Sequence, residues 1–104
     1  DVTVLKVAHH GSRHSTSQTW LNRVQPELAV ISVGPNAYGH PSPDVLKRLD
    51  QADCAALRTD ELGSLDLCFN GRWMRLLATP DSYCAEPESS PRRCTGSHGW
   101  TAPL

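Results

Sequence analysis

Two adjacent imidazoles close the first apolar run of this chain. Ala8-His9-His10-Gly11-Ser12 follows directly on Val2-Thr3-Val4-Leu5-Lys6-Val7, and a strand that stops at a glycine turn opens side chains of fixed direction onto a pocket. Neutral imidazole is the commonest nitrogen ligand of zinc-type ions. On extended backbone, neighbouring side chains point to opposite faces. At most one of His9 and His10 can therefore ligate a given metal while the other orients substrate or supports the ligand from behind, and for the pair taken by itself surface or packing roles are the larger alternative. His14 and His40 offer two further imidazoles, and Ser12, Ser15, Thr16 and Ser17 offer hydroxyls to an oxyanion or phosphate. Asp60 adds a carboxylate next to a turn. Each group also has a plainer role open to it: His14 as an exposed loop residue, the hydroxyls as helix caps, Asp60 as turn chemistry.

The elements that must position these groups read as strand, helix, strand, helix, strand, then a hairpin and a tail. Residues 2–8 are β-branched and apolar. Ser15 with Gln18 fits a capping box for a helix whose stripe is Trp20, Leu21 and Val24, ended by Pro26. Leu28-Ala29-Val30-Ile31-Ser32-Val33 suits a strand buried on both faces. Gly34 through Pro41 carries too many punctuators to be anything but a loop, and His40 sits in it between Gly39 and Pro41. Ser42 as cap and Pro43 at the first helical position start a second helix with Val45, Leu46 and Leu49 inward. Cys54–Thr59 reads as a third strand, and Asn70-Gly71 predicts a hairpin pairing Ser64–Phe69 with Arg72–Ala78. Such alternation predicts an α/β layered fold with parallel pairing. The loops after its strands then fall along one sheet edge, where ligands bind in layered α/β folds. Beyond residue 78 the pattern fails, and residues 79–104 read as a disordered Pro/Ser-rich tail.

Composition narrows the function classes. The chain has 104 residues, a net charge of −1 and 38% apolar residues. That suits one small domain with a modest core and no basic field for nucleic acid, so any such contact must be local. No apolar stretch is long enough to span a bilayer, and there is no GxSxG elbow or P-loop. Cys54, Cys68, Cys84 and Cys94 form no CxxC pair, which argues against a zinc ribbon. Cys54 and Cys68 are expected as small buried hydrophobes, while Cys84 and Cys94 are free thiols or a loop-closing disulfide. Trp20 and Trp73 are expected to pack rather than to stack on bases. The chain opens at Asp1 straight into a strand, which reads as a piece of something longer.

Leu5-Lys6-Val7-Ala8-His9-His10-Gly11-Ser12 with Ser15-Thr16-Ser17 resembles the late histidine motif of metallo-β-lactamase-fold phosphoesterases. Ile31-Ser32-Val33-Gly34, Asn36, Tyr38-Gly39-His40-Pro41, Pro43-Asp44-Val45-Leu46, Arg58-Thr59-Asp60 and Gly63 are similar to the ComEC-type DNA internalisation competence proteins. The likeness covers about residues 2–77. It implies that residues 1–78 are the C-terminal part of a metallo-β-lactamase-like αββα sandwich, an incomplete α/β domain followed by the tail. It also implies a site with divalent metal (zinc or manganese) that hydrolyses a phosphodiester, with His9 or His10 as a ligand. His40 and Ser12 would then be catalytic, and Ser15, Thr16 and Ser17 would contact substrate. The family's principal metal motif and bridging aspartate lie upstream of such a segment. The chain alone is therefore expected neither to bind metal tightly, nor to hydrolyse DNA, nor to hold nucleic acid strongly. The implied parent is a channel protein of the bacterial inner membrane with this domain on the outer face. Its partners would be incoming single-stranded DNA and the remainder of the parent chain. A stand-alone small-molecule hydrolase of the same fold and a non-catalytic remnant are the alternatives.

Overall fold

The computed structural model describes residues 2–79 and 99–103. It falls into two units, divided along the chain between Glu61 and Leu62. In the first, β1 (Val2–Lys6), β2 (Pro26–Ile31) and β3 (Ala55–Arg58) form a parallel sheet in the order β1-β2-β3. Helices α1 (Gln18–Val24) and α2 (Pro43–Gln51) make the crossovers, and a single helical turn, α3 (Thr59–Leu62), follows β3. Right-handed crossovers between neighbouring parallel strands put both helices on one face. Accordingly Leu21, Val45 and Leu49 share one buried cluster with Val7, Ala29, Ile31, Val33 and Cys54. Leu28, on the opposite face of β2, is also buried, so the central strand is apolar on both sides, as parallel strands are.

The second unit is an antiparallel sheet, with β4 (Ser64–Phe69) paired to β5 (Trp73–Thr79) and β5 to β6 (Gly99–Pro103). Met74 and Leu76 are its buried residues. The Asn70-Gly71 turn forms where expected, but β5 starts one residue late. Asn70 Oδ1 accepts the Arg72 amide at 3.0 Å and Gly71 takes φ +85°, so Arg72 belongs to the turn and Phe69 pairs with Met74.

Several expectations need correction. Ser17, not Ser15, caps α1: its side chain accepts the Trp20 amide. The helix ends on Gln25 in the left-handed region, with its amide bonded to the Leu21 carbonyl, and Pro26 already belongs to β2. Trp20 is 45% exposed, because capping at Ser17 turns Leu21 rather than Trp20 into the core. Cys54 is buried as expected, and burial pushes its thiol pKa up, but Cys68 is exposed. Within the stretch expected to be a tail, Gly99–Pro103 are a strand. The expected disorder of residues 80–98, with Cys84 and Cys94, lies outside the described residues.

Candidate functional site

The histidine pair does not sit on extended backbone. β1 ends at Lys6, and Ala8–Gly11 form one tight turn in which His9 (φ 50°, ψ 43°) and His10 (φ 54°, ψ 24°) are both left-handed. Left-handed backbone costs an L-residue roughly 1–2 kcal/mol, so this turn is strained and must be held from outside. Gly11, at φ +82°, continues it against Pro41, where an added Cβ would come within 2.7 Å of Pro41 Cβ. The Ser42 amide donates to the Gly11 carbonyl at 2.8 Å. Arg48, reaching from α2, donates through Nη2 to the carbonyls of Arg13 (2.7 Å) and Ser15 (3.3 Å). The loop after β1 is thereby clamped to the loop after β2 and to α2.

That clamp brings three of the four candidate histidines together. The His9 and His40 ring centroids are 5.8 Å apart. His10 Nδ1 lies 2.7 Å from the Ser32 carbonyl, and His10 and His40 line one small cavity with Gly34, Asn36 and Tyr38. A carbonyl only accepts, so Nδ1 of His10 carries a proton, and in the neutral ring Nε2 is then the nitrogen with the lone pair. Ligating and basic histidines are commonly held in this way. The residue after Ser32 is tied to the start of α3: Thr59 Oγ1 accepts the Val33 amide and donates to the Val33 carbonyl, both at 2.8 Å. His14 stands apart from the ring contact. It accepts from Arg13 Nε at 3.1 Å and shares with His40, Ser12 and Ser42 the wall of a cleft of about 480 Å³.

The loop carrying His40 is organised by Asn36. Its Nδ2 donates to the carbonyls of Gly34 and His40, each at 2.9 Å, and its Oδ1 accepts the amides of Tyr38 and His40, each at 3.0 Å. One amide thus satisfies both backbone groups of His40. Nδ1 of His40 is buried and has no hydrogen-bond partner among the described residues. Buried polar atoms in this condition are uncommon and call for an explanation such as an absent ligand or a proton-handling role.

The hydroxyls are largely occupied by structure. Ser12 is buried and its Oγ accepts the His14 amide at 3.4 Å. Ser15 Oγ is within reach of the carbonyls of Ser12 (2.8 Å) and Ala8 (3.0 Å). Ser17 caps α1, and Thr16 with Ser17 lines a separate groove beside Trp20. Asp60 is bonded through both carboxylate oxygens to Arg58, at 3.0 and 2.7 Å. That guanidinium holds its carboxyl below the ordinary carboxylate range. From the third loop the site receives Thr59 rather than Asp60. Asn36 and Thr59 belong to the resembling motifs but carry no functional role in the sequence reading, and Arg48 has no sequence signal at all.

Among the described residues no three His, Cys, Asp or Glu side chains gather as a metal-holding group, and no helix is long and apolar enough to cross a membrane. No family model and no solved structure matches the chain. Three characterised proteins do. It is 41% identical over 70 residues to ComE operon protein 3 of Bacillus subtilis (66% of this chain). It is 48% identical over 63 residues to competence protein ComA of Neisseria gonorrhoeae (60% of this chain). It is 38% identical over 69 residues to recombination protein 2 of Haemophilus influenzae (65% of this chain). In each case the aligned part is 9% of that protein's length. The chain is thus similar, over about two thirds of its own length, to one short segment of the ComEC-type competence proteins.

Proposed function

We propose that this segment forms one wall of the phosphodiester-processing centre of a DNA-uptake protein, within a metallo-β-lactamase-like domain. The observation that carries the reading is the convergence of His9, His10 and His40 at the carboxyl ends of β1 and β2, with His10 held in one tautomer by Ser32. His10, with Nε2 free, is the better candidate for the metal-facing position, and His9 lies against His40 on the substrate side. His40 would donate to, or accept a proton from, a phosphate oxygen in the cleft, with Ser12 at its wall. The described residues do not form a metal site by themselves. Zinc or manganese would have to be completed by donors from elsewhere in a longer chain, because a metal site requires three or more ligands. In this reading the parent lies in the bacterial inner membrane with the domain on the outer face. Incoming single-stranded DNA is its partner, and Ser15, Thr16 and Ser17 border the path.

The test is substitution in the full-length parent. His10→Ala and His40→Ala are each expected to lower DNA uptake at least tenfold at unchanged protein level, removal of one acid–base partner alone being worth roughly 10²–10⁴ in rate. Uptake unchanged in both variants overturns the reading.

A further inference from the structure

Tyr38 is 83% exposed, yet it is not loose. Its amide is bonded to Asn36 Oδ1 at 3.0 Å, within the loop that the same side chain ties at Gly34 and His40. Its ring lies near-parallel to that of His40, with centroids 5.8 Å apart and planes 22° apart, inside the range of offset stacking. His40 in turn meets His9. Tyr38 is thus stacked on His40, which meets His9 at a tilt of 60°, and most of the Tyr38 side chain stands in solvent.

Tyr38 and His40 line two clefts. The larger, about 480 Å³, has Ser12, Arg13, His14 and Ser42 in its wall, with Asp44 as its one carboxylate. The smaller, about 210 Å³, is flanked by Val33 and Pro35. A ligand suited to this surface presents a flat π face to Tyr38 and hydrogen-bonding, anionic groups to Arg13 and the hydroxyls. An unpaired nucleotide has both. Paired bases keep their faces stacked inside the duplex, whereas single strands offer them to aromatic side chains.

The geometry points to Tyr38 as a base-stacking residue for single-stranded nucleic acid, seating one nucleotide beside His40 with its phosphate toward Arg13. This rests on the DNA-processing reading above and names the contact by which that site grips its strand. It also explains why a large aromatic is left in water at a loop held so firmly.

The experiment is an NMR titration of the full chain with a short oligothymidylate and with an abasic phosphodeoxyribose oligomer of the same length. Tyr38 ring signals are expected to shift upfield with oligothymidylate only. Tyr38→Ala is expected to weaken oligothymidylate binding about tenfold, to the level of the abasic oligomer, as loss of one base–aromatic contact does. Tyr38→Trp keeps the affinity. Abasic binding is the same in all variants, and His9 and His40 amide positions report that the fold is intact. Equal binding of oligothymidylate by the native chain and Tyr38→Ala overturns the role of Tyr38 and leaves the DNA-processing reading standing. An equal loss of abasic binding in Tyr38→Ala overturns it too, since the effect is then not stacking. No response of the native chain to either oligomer also overturns the role of Tyr38, since the stacking contact is then not made, and the DNA-processing reading is left to the substitutions in the full-length parent.

Discussion

His9 and His10 are chemically alike, adjacent and equally left-handed in backbone, and what separates them is a partner 22 positions along the chain. His10 donates a hydrogen bond from Nδ1 to the Ser32 carbonyl at 2.7 Å, while the His9 ring meets that of His40. In the neutral imidazole this makes His10 an Nδ1–H tautomer with Nε2 as acceptor. Long-range proton–nitrogen correlation spectra of the labelled chain are expected to show Nε2 of His10 as the unprotonated, pyridine-like nitrogen, and to keep that pattern in His9→Ala. The opposite tautomer at His10 would remove the ground for preferring it over His9 as the metal-facing group. No inspection of the motif could have made this choice, because sequence spacing says nothing of which carbonyl lies behind which ring. Asn36 was similarly silent: a loop asparagine is ordinary turn chemistry until its four bonds are seen to close on His40.

The elements were legible to the extent that periodicity and caps are local. Three parallel strands, two crossover helices, the Ser42–Pro43 helix start and the Asn70-Gly71 hairpin all appear as expected. The misreadings lie where two local signals compete. Ser15 and Ser17 can each cap a helix, and Ser15 is drawn away because its hydroxyl closes the histidine loop onto the carbonyls of Ala8 and Ser12. Thr59 begins a helical turn instead of ending β3, since its hydroxyl bonds back to β2's continuation at Val33. The histidine turn itself depends on an inter-loop contact, and Gly11 is where that dependence is sharpest. Gly11→Ala would put Cβ 2.7 Å from Pro41 Cβ, at φ +82°. Left-handed strain of roughly 1–2 kcal/mol and overpacking of roughly 1–3 kcal/mol together predict a loss of about 2–5 kcal/mol. Urea unfolding followed by circular dichroism checks the stability, and the His9–His40 ring contact is expected to be lost in the same variant. A Gly11→Ala chain of native stability would mean that the two loops are not locked where the turn meets Pro41.

At the scale of the molecule, the fold class was accessible because strand–helix alternation constrains it, whereas the completeness of the site was not a matter of local pattern. Three imidazoles converge, but the carboxylate that sequence placed nearby, Asp60, is neutralised by Arg58 in a close pair. This carboxylate is thus withheld from the cluster, and no group of three metal-type donors forms among the described residues. A closed zinc site yields roughly 10–16 kcal/mol of binding free energy, and it does so through three or four deprotonated donors held at once. Two imidazoles on a strained turn, with a third in ring contact, fall well short of that. Isothermal titration of the full chain with zinc or manganese is therefore expected to give a dissociation constant weaker than about 1 μM, equivalent to roughly 8 kcal/mol, with His10→Ala weakening it further. Nanomolar affinity abolished by His10→Ala would show that these loops close a metal site unaided. The site would then belong to this segment alone, and not to a centre shared with the rest of a chain such as those of the relatives, of which it matches 9%.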